Sequence, residues 1–275
     1  RNTAPCIGWA TYHIYAKNPN ANILVTPADH LILQEDAFDE AICRSLDYVK
    51  AHPKLVTLGV RPSRPETGYG YIQFTDIEDE HFVKVKTFTE KPNIEMAKVF
   101  YESGEFLWNS GMFAWNVQTI LDAFHQYLPS LTSILDEVKG AYATDEEQSR
   151  VSQVFSECPN ISIDYAVLEK ADNVMVLPVD FGWADLGTWG SLYELKREEP
   201  RANVALHTKA LFYEAEGNIV SLDGDPEKQL VVVQGINDCI VAQSKGVLLI
   251  CKRDEEQRIK EFMGEASVQF DKKFD

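Results

Sequence analysis

A wholly apolar run, Ile23-Leu-Val25, stops abruptly at Thr-Pro-Ala-Asp29-His30, and a second one, Leu55–Val60, follows after an amphipathic stretch. Within that stretch Phe38, Ile42, Leu46 and Val49 recur at helical spacing behind an Asp36 cap, the period of a helix buried along one face. Apolar runs without polar alternation are strands covered on both faces, so the pattern requires a βαβ sheet. Val174–Val179 extends it. Open α/β sheets hold ligands beyond the carboxyl ends of their strands, and the first run ends on the carboxylate of Asp29. A second acid, Asp185, lies in Asp180-Phe-Gly-Trp-Ala-Asp-Leu-Gly-Thr-Trp189, with Phe88-Thr-Glu90-Lys91-Pro92 between the two in the chain. Two carboxylates meeting in one crevice with a lysine and a glutamate suit a divalent cation, phosphates and a hydroxylated substrate.

The 275 residues, 45% hydrophobic and 25% charged, are enough for one main domain with an appendage. A formal charge of −17 opposes binding to nucleic acid or to an anionic membrane surface. An anionic substrate must therefore meet local positive charge or a metal. The five cysteines are scattered without Cys-x-x-Cys spacing, which argues against zinc or a disulfide framework and for a cytoplasmic setting. No apolar run reaches the roughly 20 residues a membrane helix needs.

Antiparallel material is mixed into the sheet. Residues His81–Phe88 alternate apolar and charged positions and follow Tyr69–Phe74 across an acidic turn, Asp76–Glu80. Helices are expected over residues 3–16, 94–102, 116–139 and 162–171. From about residue 205 short strands take over, Asn218–Leu222, Leu230–Gln234, Cys239–Gln243 and Val247–Cys251, suiting either a β-meander or a short coiled β-solenoid. A final helix, capped by Asp254-x-x-Gln257, carries Ile259, Phe262 and Met263 on one face. The expected boundary at Glu198-Glu-Pro200 divides an α/β domain, 1–200, from a β-rich domain with a terminal helix, 201–275.

The ordered set Arg1-Asn-Thr-Ala-Pro5, Pro27-Ala-Asp-His30, Glu66-Thr-Gly-Tyr-Gly-Tyr-Ile72, Phe88-Thr-Glu-Lys-Pro92, Trp108-Asn-Ser-Gly-Met-Phe113, Ser162-Ile-Asp-Tyr-Ala-Val-Leu-Glu-Lys170 and Phe181-Gly-Trp-Ala-Asp-Leu-Gly-Thr-Trp189 resembles the mannose-1-phosphate guanylyltransferases, or GDP-mannose pyrophosphorylases. The resemblance implies a GT-A-like (Rossmann-like) mixed-sheet nucleotidyltransferase domain, followed here by the small β-helix-like one. It also implies the synthesis of GDP-mannose and pyrophosphate from GTP and mannose 1-phosphate with Mg²⁺. Family members begin with a strand and a Gly-x-Gly-Thr-Arg-Leu-Trp-Pro loop, then a Pro-Lys segment. These 275 residues open instead at Arg1 on a helix, and the expectation is a chain impaired as a catalyst without that loop. No cupin-like isomerase domain follows the terminal helix, so a short, single-activity form is expected.

On this resemblance Asp29 and Asp185 hold the metal and, with Lys91, serve catalysis, Lys91 meeting the sugar phosphate. Glu90, Gly70, Asn109 and Asp164 fall to the sugar, and Arg1, Asn2, Pro27 and Asp29 to the nucleotide. Local readings stand beside these. Asp29 suits a turn or cap, and Glu90–Lys91 an exposed pair held extended by Pro92. Gly68 and Gly70 suit a turn with positive φ, Asn109 a backbone partner, and Asp164 with Tyr165 a helix start. His30 is expected to orient its loop, and Trp183 and Trp189 to pack. A uridylyl- or thymidylyltransferase of glucose 1-phosphate, or a silent regulatory subunit, are the competing readings. The terminal strands leave a homodimer open.

Overall fold

The computed structural model describes residues 1–77 and 81–270, and its chain divides into two compact units, Arg1–Ala28 with Ile32–Trp183 and Asp29–Leu31 with Ala184–Asp275. The chain order is α1 (Thr3–Lys17), β1 (Asn22–Val25), β2 (Leu31–Ile32), α2 (Glu35–Ala51), β3 (Leu55–Val60), β4 (Tyr71–Ile77), β5 (Val83–Thr89), α3 (Ile94–Ser103), β6 (Phe106–Asn116), α4 (Val117–Tyr127), α5 (Pro129–Asp136), α6 (Glu147–Val154), β7 (Val174–Val179) and β8 (Trp183–Ala184). The chain crosses between the units three times, in the loop at Ala28/Asp29 and inside β2 and β8.

In the first unit the apolar runs become neighbours in a six-stranded sheet of order β1-β6-β3-β7-β5-β4. β3 and β7 pair in parallel from Leu55↔Val174 to Val60↔Val179, and every residue of β3 is buried, as a strand covered on both faces must be. β6 runs antiparallel to β1 and β3. β4 pairs with both β5 and β6, and β5 with β7, so β6-β3-β7-β5-β4 closes on itself. Ile72, Val83, Leu107 and Val176, each from a different strand of that ring, pack together. On one face α1, α4 and α5 cluster with Phe113 and Trp115. Elsewhere Ile42 and Val49 of α2 cluster with Val56, Leu58 and Val60. Each such side chain contributes about 1.5–3 kcal/mol when fully buried.

Several expectations shift. Asp36 lies in the first turn of α2, whose N-cap is Gln34; there it favours the helix dipole instead of capping. The span 116–139 is not one helix. Asn116 ends β6 and caps α4, accepting from the Gln118 N–H at 2.9 Å, and Pro129 starts α5 because it cannot continue a helix from within. The stretch 162–171 holds a π-helical turn, Asp164–Leu168, in which the Glu169 N–H reaches the Asp164 carbonyl at 2.9 Å. β4 and β5 pair as expected, but residues 78–80 of the acidic turn lie outside the described residues.

The second unit holds α7 (Trp189–Lys196), β9 (Val204–Leu206), β10 (Lys209–Tyr213), β11 (Ile219–Leu222), β12 (Leu230–Gln234), β13 (Cys239–Ser244), β14 (Val247–Lys252) and α8 (Ile259–Gln269). β9, β11 and β13 form parallel pairs, as do β10 and β12, which excludes a meander there. Among the described residues of this unit only β13–β14 is a hairpin, turning on Lys245 and Gly246, both at positive φ, the backbone a two-residue hairpin loop needs. Buried Asn218 is satisfied within the stack: it donates to Asn203 Oδ1 and the Ile236 carbonyl and accepts from the Cys239 N–H. Tyr193 of α7 shares a core with Val204, Ile219 and Ile240. That packing places α7 in this unit, which runs on from Ala184, whereas the sequence sets the domain boundary at Glu198-Glu-Pro200. Arg253–Arg258 forms a 3-10 turn, so Asp254 and Gln257 do not cap α8.

Candidate active site

In the first unit the site is built on an irregular strand. Thr57 pairs with Phe113 and Gly59 with Asn109, so β6 carries two extra residues where β3 advances by two. Gly111 absorbs them at φ 71°, a conformation glycine adopts without steric cost. The bulge aims Asn109. Its Oδ1 accepts from the Gly111 N–H at 3.0 Å, which leaves Nδ2 to donate to Asp164 Oδ1 at 2.8 Å. The Asn109 N–H donates to the Gly70 carbonyl at 2.8 Å, joining the loop before β4. Buried Glu66 shapes that loop, accepting from the Gly68 N–H and from Arg64.

Neither Gly68 nor Gly70 has positive φ; what Gly70 provides is closeness. A Cβ there would stand 3.1 Å from Glu90 Oε2 and 3.5 Å from Asn109 Cβ. Glu90 follows β5, and its Oε1 lies 3.8 Å from Lys91 Nζ. Pro92 does not hold Lys91 extended, as expected from the sequence: Lys91 sits at φ 40°, a strained conformation for a residue with a side chain.

Burial pushes the Glu90 carboxyl up, against the pull of Lys91 and with the help of Asp164. Burial likewise raises Asp164, with the Asn109 hydrogen bond opposing. Glu169 is raised by burial and then by Asp164 and Glu90. Gly70, Glu90, Asn109 and Asp164 are brought together, with the ammonium of Lys91 beside Glu90. Glu169 was missed in the sequence. Five residues after Asp164, it falls off the same face of an α-helix, and the π-turn restores it.

Pro27 packs toward Gly111, where a Cβ would be 3.4 Å from its Cγ. Arg1 donates through Nη2 to the Ser156 carbonyl. Asn2 caps α1, accepting from the Thr3 N–H at 2.8 Å, and Thr3 Oγ1 accepts from the Ile163 N–H at 2.9 Å. The start of the chain is therefore tied to residues 156–163, just before Asp164. Trp183 packs edge-on against Tyr69 at 5.0 Å, and Trp189 packs against the core of the second unit.

In the second unit Asp29 and Asp185 share His30. Its Nε2 is 3.9 Å from Asp29 Oδ1. Burial lowers the imidazole's pKa, while Asp185 and then Asp29 pull it back up. Asp29 is 88% exposed. Asp185 Oδ1 accepts from the Gly187 N–H at 3.0 Å and from Ser191 Oγ at 3.2 Å, and Thr188 caps α7 just beyond. Ser191 was also missed, since nothing local marks it. Among the described residues no three His, Cys, Asp or Glu side chains gather as a metal cage. Two hard carboxylates, one fixed by outer hydrogen bonds, are the protein share that Mg²⁺ takes when phosphates and water complete its octahedron, so the pair fits that ion.

Residues 1–201 match the nucleotidyl transferase family. A mannose-1-phosphate guanylyltransferase of Escherichia coli (strain K12) is 37% identical over 267 residues, covering 94% of this chain and 55% of the relative. The chain spans about half the length of the curated relatives it matches. The crystal structure described as mannose-1-phosphate geranyltransferase from Thermus thermophilus superposes with a TM-score of 0.81 at 29% identity, over 97% of this chain and 76% of that one. Mannose-6-phosphate isomerase from Helicobacter pylori gives a TM-score of 0.55 at 26% identity, over 67% and 70%. The mixed α/β fold is that of the GT-A-like sugar nucleotidyltransferases. Among the described residues no helix is long and apolar enough to cross a membrane.

Proposed function

The chain belongs to the nucleotidyl transferase family, and on that premise we propose that the protein makes GDP-mannose and pyrophosphate from GTP and mannose 1-phosphate in the cytoplasm. The carrying observation is the cluster around Gly70: the carboxyls of Glu90 and Asp164 and a fixed Asn109 amide, with Lys91 at 3.8 Å from Glu90. The names of the relatives supply the sugar and the base.

A sugar phosphate oxygen attacks the α-phosphorus of the triphosphate, a bond to phosphorus forms, and pyrophosphate leaves with its electron pair. Both reactants are anions, so no protein nucleophile is needed and catalysis reduces to alignment and charge neutralisation. Lys91 supplies positive charge to the sugar phosphate. Glu90 and Asp164 accept from sugar hydroxyls, and Asn109, its Oδ1 held by Gly111, fixes the carboxylate of Asp164. Asp29 and Asp185 would hold Mg²⁺, whose chemistry when bound is neutralisation of phosphate charge. Arg1, Asn2 and Pro27 are assigned to the nucleotide. We read the second unit as a short β-helix, a reading its parallel pairings support.

The test is pyrophosphate release by the protein as the cell makes it, across four nucleoside triphosphates and several sugar 1-phosphates. A preference for GTP with mannose 1-phosphate is expected. Preference for UTP or dTTP overturns the guanylyl assignment, and folded protein with no turnover on any pair overturns the enzyme reading.

A further inference from the structure

A cavity of about 420 Å³ opens in the helical layer of the first unit, lined by Tyr12, Tyr15, His125, Asp136, Lys139 and Tyr142 among others. It shares no residue with the cluster around Gly70, and the transfer chemistry above uses none of its groups. Its size suits a small organic ligand.

Its polar groups restrict what that ligand can be. Tyr12 and Tyr142 are buried with ring centroids 5.2 Å apart, and Tyr15 adds a third ring to the lining. The Tyr142 hydroxyl donates to the Leu135 carbonyl at 3.0 Å and is occupied. The Tyr12 hydroxyl donates to Asp136 Oδ1 at 3.0 Å. His125 Nδ1 faces the Leu121 carbonyl at 2.8 Å and must carry a proton there, while its Nε2 lies 3.6 Å from Asp136 Oδ2. Asp136 is 41% exposed. A carboxylate has about four lone-pair sites, so Asp136 keeps acceptor capacity toward the cavity, and Lys139 supplies the matching positive charge.

Aromatic walls take a flat ring by stacking. A carboxylate takes two adjacent N–H donors side by side, and it repels a ring edge that presents a nitrogen lone pair. Guanine presents N1–H beside its 2-amino group; adenine presents a bare N1 on that edge. The phosphate on the ribose attached to that base would meet Lys139, which lines the same cavity.

We propose that this cavity is a second nucleotide site, selective for guanine, in which Asp136 reads the base, Tyr15 stacks on it and Lys139 meets its phosphate. The ligand class comes from the cavity alone and does not rest on the transfer reaction proposed above.

The probe is GMP, with AMP as the control, titrated calorimetrically against the whole protein, with Asp136→Asn, Tyr15→Ala and Lys139→Ala alongside. The expected result is saturable GMP binding at least tenfold tighter than AMP, weakened tenfold or more by Asp136→Asn and by Tyr15→Ala, with pyrophosphate release unchanged in both variants. Lys139→Ala should weaken GMP but not guanosine. Should Asp136→Asn fail to fold because Tyr12 loses its acceptor, Tyr15→Ala and Lys139→Ala decide the matter. Absence of GMP binding to the wild-type protein overturns the proposal. So does GMP binding untouched by the variants, which would place the nucleotide elsewhere, and so does equal affinity for AMP. Because binding is read directly and not through turnover, failure here and failure of the transferase reading are separate results.

Discussion

Replacing Gly70 by alanine separates a glycine kept for a site from one kept for a core. The new Cβ would sit 3.1 Å from Glu90 Oε2, 3.5 Å from Asn109 Cβ and 3.8 Å from the Thr89 carbonyl. Only the first contact is tight, and it involves the far end of a flexible side chain, so Glu90 yields by a few tenths of an ångström. Turning Glu90 off its preferred rotamer costs about 0.5–1.5 kcal/mol. Against that, alanine restricts the unfolded chain and returns about 0.4–1 kcal/mol. The fold should therefore stay within about 1 kcal/mol of wild type. Activity should not. A hydrogen bond to a charged group is worth about 1.5–3 kcal/mol, and losing the lower end of that lowers kcat/KM for mannose 1-phosphate about tenfold. Gly59→Ala is the contrast, since its Cβ would meet Val176 Cγ2 at 2.6 Å and Leu107 at 2.7 and 2.9 Å. Overpacking there should destabilise by about 1–3 kcal/mol or more while the folded fraction keeps its kinetics. Urea denaturation and initial rates on both variants decide it. A Gly70→Ala protein destabilised by several kcal/mol with unchanged sugar kinetics would refute the reasoning.

Lys91→Ala should raise the KM for mannose 1-phosphate by roughly 10- to 100-fold and leave GTP affinity nearly unchanged, measured by steady-state kinetics. Lys91→Gly should lose the same function yet melt higher than Lys91→Ala, by about 1 kcal/mol or more in stability, because it relieves the strain at φ 40°. Asp29→Asn and Asp185→Asn should each cut Mg²⁺-dependent turnover about 100-fold, and the double variant should fall little further if both act on one ion; full additivity in a double-mutant cycle would separate them. Burial raises the Glu147 carboxyl, but hydrogen bonds from His13, the Ala143 N–H and Trp9 bring it below its ordinary range. Its stabilisation is therefore present above about pH 4.3, the unfolded value, and is lost as pH falls through the lowered one. Glu147→Gln should cost about 1–3 kcal/mol at pH 7 and flatten the acid limb of the stability profile, read by denaturation at a series of pH values.

The elements legible in the sequence were those set by local periodicity. The runs at Leu55–Val60 and Val174–Val179 read as strands covered on both faces, as they are, and Ile23–Val25 reads as a strand, though only Ile23 of it is buried; the spacing of Phe38, Ile42, Leu46 and Val49 reads as a helix on that sheet. β6 escaped, because the bulge at Gly111 breaks the alternation by which a strand is read. Glu90, Asn109 and Asp164 stood out through motif resemblance, yet nothing in the order of residues said that Asn109 would orient Asp164, or that a π-turn would bring Glu169 to the same carboxyls. Parallel pairing of β9, β11 and β13 was equally hidden, since a short apolar strand carries no mark of its partner's direction. Period and capping act between residues a few positions apart, so the chain itself determines them. Register, bulges, the φ of Lys91 and the sharing of His30 by Asp29 and Asp185 depend on which distant groups remain to be buried and hydrogen-bonded, and only the tertiary structure decides that.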